Sequence, residues 1–162
     1  MTIRFTKAPH GDKSHTLTCI RDDGTVTGMR SSDFFILHDL THYAVETVLG
    51  FSDAFYGLLS QGWAIESFEE RQPGTRKVRE MPYMAGVVEV IVGAVNIELN
   101  SGRQDEEAEQ KNLRDAFGAL GAPSYDVTPA QFAAIRARRD EFLTAWRGTA
   151  PGGVLELCFP LA

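Results

Sequence analysis

Pro82-Tyr83-Met84-Ala85-Gly86-Val87-Val88-Glu89-Val90-Ile91-Val92-Gly93-Ala94-Val95-Asn96-Ile97-Glu98-Leu99 is the stretch on which the fold turns. Its many Val and Ile residues favour a strand, because branched side chains fit a pleated surface. Its spacing favours a helix. Met84, Val87, Val88, Ile91, Val92, Val95 and Leu99 recur at helical intervals, while Glu89, Gly93, Asn96 and Asn100 fall on a separate narrow stripe. The spacing predicts a buried helix over 82–99, with a strand as the open alternative.

Upstream, residues 2–7 and 15–20 alternate as strands do, and Asp22-Asp23-Gly24 turns the chain into a third strand at Thr25-Val26-Thr27. His15, Leu17 and Cys19 then share one face of the second strand. From Phe34 the period becomes helical: Leu37, Thr41, Ala44, Val45 and Val48 form a stripe, with Ser32 or Asp33 to cap its start and Gly50 to end it. Ser52 or Asp53 is expected to cap a short second helix through Leu58 and Leu59 that closes at Gly62. The polar segment after Trp63, through Glu66 and Glu69 to Gly74, reads as an extended piece and then a loop.

Downstream, residues 104–119 are charged and helical, with Gly121 and Pro123 as stop signals. Thr128, Pro129 and Gln131 form a capping box that opens a helix to about Arg147. Val154-Leu155-Glu156-Leu157-Cys158-Phe159 alternates as a strand whose natural place is beside the N-terminal meander. The fold class that follows is α+β: a small antiparallel sheet, from the meander and the C-terminal strand, packed with about five helices in a single domain, 1–162.

Composition narrows the classes of function. At 162 residues, 43% hydrophobic and 23% charged, the chain has the make-up of one globular domain. Its net charge of −6 opposes a phosphate backbone, so no nucleic-acid partner is expected. The densest basic stretch, Arg136, Arg138 and Arg139, lies beside Asp140 and Glu141 and reads as a solvated helix face. Met1-Thr2-Ile3-Arg4-Phe5 lacks the apolar core of a signal peptide, and no apolar run reaches about 18 residues. The expected setting is cytoplasmic, with no membrane partner. Cys19 and Cys158 are too few for a disulfide framework and read as small buried apolar residues. Phe34, Phe35, Phe51, Phe55, Tyr56 and Trp63 read as core.

Chemistry concentrates in His38-Asp39-Leu40-Thr41-His42. Two histidines four apart on a helix project from one face, about 6 Å apart along the axis, which lets both imidazoles reach one metal ion. The pentapeptide resembles the His-Glu-x-x-His signature of the zincin metallopeptidases, in which the Glu is the general base. The resemblance implies that His38 and His42 are metal ligands and that Asp39, one methylene shorter than Glu, is the candidate catalytic base. Adjacent His38-Asp39 also resembles the HD-type phosphohydrolases, an all-helical family, and the strands at both ends count against that resemblance.

Glu46 lies about 12 Å from His38 along a continuous helix, too far to share its ion. One turn beyond His42, it is placed to accept from the other ring nitrogen and fix the tautomer. A gluzincin-like arrangement takes its third ligand from a downstream Glu, which offers Glu66, Glu69, Glu70 or Glu89. Glu89 is favoured, since an ionised carboxylate facing the core of the 82–99 helix needs a counter-charge or a metal; the alternative is that Glu89 marks a solvent-facing stripe with Asn96 and Asn100 as its wet neighbours. Gly93, one turn later, leaves room for a close approach. His15 and Cys19 are further candidates from the sheet. Imidazole plus carboxylate makes zinc the default cofactor.

The expectation is therefore a divalent-metal-binding protein, as a zincin-like hydrolase acting on a small molecule or a peptide. The alternative is a non-catalytic binding or oligomerisation domain with structural histidines. There the apolar 82–99 helix packs against a second subunit as a homodimer.

Overall fold

The hairpin at Arg21–Thr25 sets the register of the sheet. Gly24 adopts φ 82°, which a residue with a Cβ rarely takes. Asp23 Oδ1 accepts from the Thr25 backbone N–H at 2.8 Å, and Arg21 N–H reaches Thr25 O at 2.9 Å. In the computed structural model, which describes residues 1–12, 14–68, 81–119 and 125–160, the strands β1 (Thr2–Thr6), β2 (His15–Ile20) and β3 (Val26–Ser31) form an antiparallel meander. The last strand, β4 (Val154–Cys158), pairs with β1 from the other side, Thr2 opposite Cys158 and Thr6 opposite Val154. The sheet order is β3-β2-β1-β4.

One face of this sheet is apolar because its strands alternate. Ile3, Phe5, Leu17, Cys19 and Leu157 are buried on it, against Leu40 and Tyr43 of α1 (Asp33–Leu49) and Phe142 and Trp146 of α5 (Pro129–Gly148). The opposite side of α1, at Ala44 and Val45, faces a second apolar cluster. Val87, Val88, Ile91 and Val95 of α3 (Tyr83–Ser101), Leu113 and Phe117 of α4 (Glu106–Ala119), and Phe132 and Ile135 of α5 complete it. The helix α1 thus lies between sheet and helices with little solvent contact over its central turns. With the short α2 (Phe55–Ser60), the described residues form an α+β fold of four antiparallel strands and five α-helices.

The stretch 82–99 is helical: its valines and isoleucines meet α1, α4 and α5 on a 3.6-residue period, and that packing outweighs their preference for strands. The capping box at Thr128 is formed, with Thr128 Oγ1 accepting from Gln131 N–H at 3.2 Å. Several sequence expectations need correction. The segment after Trp63 is not extended but a 3₁₀ turn at Ile65–Phe68, tied to β3 by Ile65 N–H donating to Thr27 Oγ1 at 3.0 Å. Glu69, Glu70, Gly121 and Pro123 lie outside the described residues. Cys158 is exposed, since alternation along β4 buries its neighbour Leu157 instead. Phe34 and Phe35 are 70% and 50% exposed at the start of α1, before that helix enters the interior.

The basic stretch of α5 is also not a solvated face. Arg136 and Arg139 are buried. Arg136 makes a fork to Glu98 of α3, at 2.8 and 2.6 Å, and an ion pair with Glu109 of α4. Arg139 Nη1 donates to Val95 O at 2.8 Å. Only Arg138 faces outward, 3.4 Å from Glu141. Charge here joins three helices, which no feature within α5 alone encodes.

Candidate metal centre

The helix α1 begins after Ser32 and ends at Gly50, whose φ of 72° lets its N–H turn back to Glu46 O. Between these stops it presents His38 and His42 one turn apart. Across from them runs α3, held to α1 where the Thr41 hydroxyl lies 2.8 Å from the Asn96 side-chain amide. Asn96 and Glu89 are seven residues apart and so share one stripe of α3. That stripe carries the Glu89 carboxylate to the histidines.

The three side chains converge. His38 Nε2 and His42 Nε2 are 3.1 Å apart. Glu89 Oε1 is 3.1 Å from His42 Nε2, and Glu89 Oε2 is 3.6 Å from His38 Nε2. Among the described residues, these three form the group of His, Cys, Asp and Glu side chains whose ligating atoms lie close enough to hold one ion. Metal–ligand bonds of about 2.0–2.1 Å at tetrahedral angles place ligand atoms about 3.3–3.4 Å apart. The two Glu89 separations use different oxygens; taking one atom from each residue, all three lie within 4.8 Å of one another, which brings them within reach of one small divalent ion after side-chain adjustment.

The electrostatics are set by burial. His42 is fully enclosed, and burial alone would push its pKa down. The carboxylates of Glu46 and Glu89 outweigh burial and hold it up, to about 10. For His38, burial and the neighbouring His42 push the pKa down, against the pull of Glu89. Burial opposes ionisation of Glu89 as well, but the contact with His42 prevails and its pKa is lowered. Asp39, 7% exposed, is pushed up to about 7, chiefly by desolvation and further by Glu89, with His42 opposing.

Glu46 has a structural task that its sequence position did not announce. Its buried carboxylate accepts the backbone N–H of Tyr56 at 3.2 Å and of Gly57 at 3.0 Å. These are the second and third residues of α2, the donors an N-cap side chain normally satisfies. Ser52 and Asp53 therefore do not cap α2; the residue before it is Ala54, and the cap comes from α1. Glu46 Oε1 also lies 3.5 Å from His42 Nδ1, yet that nitrogen makes no regular hydrogen bond.

The remaining candidates lie elsewhere. His15 Nδ1 accepts from the Ala8 N–H at 2.9 Å, and its Nε2 is 2.8 Å from Asp33 Oδ1, which ties β2 to the first turn of α1. Cys19 is in the core, and burial drives its thiol up to about 12, against metal ligation. Glu66 belongs to the 3₁₀ turn and is outside the cluster. Glu89 reaches the histidines from the exposed edge of α3, with 57% of its side chain accessible, rather than from the core. The side of the cluster at Glu89 is thus open to solvent.

Asp39, His38, His42 and Glu89 line one pocket of about 250 Å³, together with Met29, Phe35, Phe55, Ile65 and Phe68. No protein family, no curated protein and no solved structure matches this chain.

Proposed function

We propose that this protein binds one divalent metal ion through His38, His42 and Glu89 and uses it in hydrolysis. The observation that carries the reading is the convergence of the three ligating groups at 3.1, 3.1 and 3.6 Å. Zinc is the ion best matched to two imidazoles and one carboxylate. Three protein ligands leave a coordination position free, and the accessible edge at Glu89 gives it a route to solvent. The buried, unbonded His42 Nδ1 favours the same reading, since a ligand at Nε2 draws a hydrogen onto Nδ1 and tightens its contact with Glu46.

A bound ion would supply Lewis-acid polarisation of a carbonyl or of water. Asp39 would then take up and return the proton. Asp39 lines the same pocket as the three ligands, which is what puts it forward for that role. The plan shares with zincins a pair of histidines four apart on one helix and a carboxylate from another element, and differs in the residue between them.

The test is elemental analysis of purified, tag-free protein beside the double variant His38→Ala, His42→Ala. About one ion per chain, lost in the variant, supports the site. A folded protein that carries no metal and takes up none on zinc titration ends the proposal.

One observation favours a second reading. His42 already lies between two carboxylates, 3.5 Å from Glu46 and 3.1 Å from Glu89, whose charges hold it protonated without any ion. The chain would then be a binding or oligomerisation domain, with Ile97 and Leu99, exposed at the end of α3, meeting a second copy. A concentration-independent monomer in light scattering would exclude the homodimer.

A further inference from the structure

The lining of the pocket beside His38, His42 and Glu89 is divided between polar and apolar groups. The polar groups are gathered on α1 and α3, at His38, Asp39, His42 and Glu89. The rest of the lining is Met29 from β3, Phe35 from α1, Phe55 from α2, and Ile65 and Phe68 from the 3₁₀ turn. The aromatic members support one another. Phe55 contacts the His42 ring at 5.5 Å between centroids and Phe68 at 5.0 Å, and Phe68 in turn meets Trp63 at 5.7 Å. Phe35 is half exposed. None of the described lining residues is Lys or Arg.

We infer, resting on the metal reading above, that the site takes a small molecule with an uncharged apolar body, such as a single aromatic ring, attached to one metal-binding or hydrolysable head. The size fits. At about 250 Å³, the pocket is smaller than the roughly 300–1,000 Å³ that holds a drug-sized ligand. The chemistry fits as well. An anionic group on the body would lose its water against Phe and Met side chains and meet no Lys or Arg among the described lining residues, while Glu89 would repel it. Phosphorylated and nucleotide substrates are therefore disfavoured, and esters, amides or lactones of apolar acids are favoured.

Three hydroxamic acids test this on the full-length, zinc-loaded protein by isothermal calorimetry. Acetohydroxamate presents the head alone, benzohydroxamate adds a ring, and 4-carboxybenzohydroxamate adds a charge to that ring. Burying the additional ring surface is expected to make benzohydroxamate bind about 10- to 100-fold more tightly than acetohydroxamate. The carboxylated ring should lose most of that gain. In Phe68→Ala, and separately in Phe35→Ala, the ratio of benzohydroxamate to acetohydroxamate affinity should fall by at least about threefold. Zinc affinity, measured in each variant by the same calorimetry, shows whether the metal site is intact. Equal affinity for acetohydroxamate and benzohydroxamate, or undiminished binding of the carboxylated ring, would overturn the inference and leave the metal reading standing. Protein that binds zinc but none of the three also overturns it. Protein that binds no zinc overturns the metal reading itself.

Discussion

Replacing Glu46 tests whether its carboxylate caps α2. Its two oxygens accept two backbone N–H groups at the start of α2, at 3.2 and 3.0 Å, and the side chain is wholly buried. Hydrogen bonds to a charged acceptor contribute about 1.5–3 kcal/mol each. Glu46→Gln keeps one oxygen and turns an NH2 toward the other donor, so one bond is lost and one buried N–H is left unpaired. The relief of burying a charge offsets part of that, and a net loss of about 2–4 kcal/mol remains. Glu46→Ala removes both acceptors and leaves a void, which raises the cost to about 4–6 kcal/mol. For a chain of this size, each kcal/mol moves Tm by about 2–4 °C, so Glu46→Gln should melt about 5–15 °C lower. Thermal denaturation of the metal-free protein at pH 7, followed by circular dichroism, gives the number. Hydrogen exchange gives the place, because the Tyr56 and Gly57 amides should lose protection before those of α5. Variants that melt within about 2 °C of the parent, with those two amides still protected, would refute the capping role. As an internal control, Asp53→Ala should change stability by less than about 0.5 kcal/mol, since Asp53 is exposed and does not cap α2.

Three further outcomes follow from the packing and the charges. Gly57→Ala should be strongly destabilising in urea denaturation, because a Cβ there would collide with the Ser52 carbonyl, a backbone group with no easy retreat; a midpoint equal to that of the parent would contradict it. Arg136→Ala leaves Glu98 and Glu109 buried without their shared cation and should cost about 3–5 kcal/mol by chemical denaturation, whereas Arg138→Ala, on the exposed side of α5, should cost less than about 1. The metal-free protein should lose stability as pH rises: the His42 pKa of about 10 lies above its unfolded value of about 6.5, so its contribution is complete below pH 6.5 and declines by about 1.4 kcal/mol per pH unit up to pH 10. Asp39 acts with the same sign over about pH 4–7, and a urea midpoint that stays level or rises between pH 7 and pH 9 would contradict the placement of His42 between its carboxylates.

What could be read from the sequence was what local periodicity encodes. The i, i+4 spacing of His38 and His42 needs only a helix to bring two imidazoles together, and the alternation of β1, β2 and β4 needs only a pleat to bury Ile3, Phe5, Leu17, Cys19 and Leu157. Glu89 is a mixed case. The sequence leaves it open between a core-facing charge and a solvent-facing stripe; it approaches the histidines from an accessible edge, and the stripe it shares with Asn96 marks the line along which α3 meets α1. The residues that were misplaced are those whose partners are distant in sequence. Glu46 caps a helix ten residues away in place of the nearby Ser52 and Asp53, and Arg136 is drawn into the interior by carboxylates from two other helices. Both are buried charges, and a buried charge is stable only if its partners arrive from elsewhere in the fold. The same condition applies at His42, the one residue that touches every part of the centre: Glu46 on one side, His38 and Glu89 on the other. In the metal-free protein the protonated ring lies between the two carboxylates, and an ion at Nε2 has to displace the proton that faces Glu89. Zinc affinity should therefore rise with pH, by about tenfold per unit between pH 6 and pH 8, with about one proton released per ion bound. Calorimetry in two buffers of different ionisation enthalpy measures that proton directly. Binding that releases none would mean that the ion, if it binds, does so away from His42.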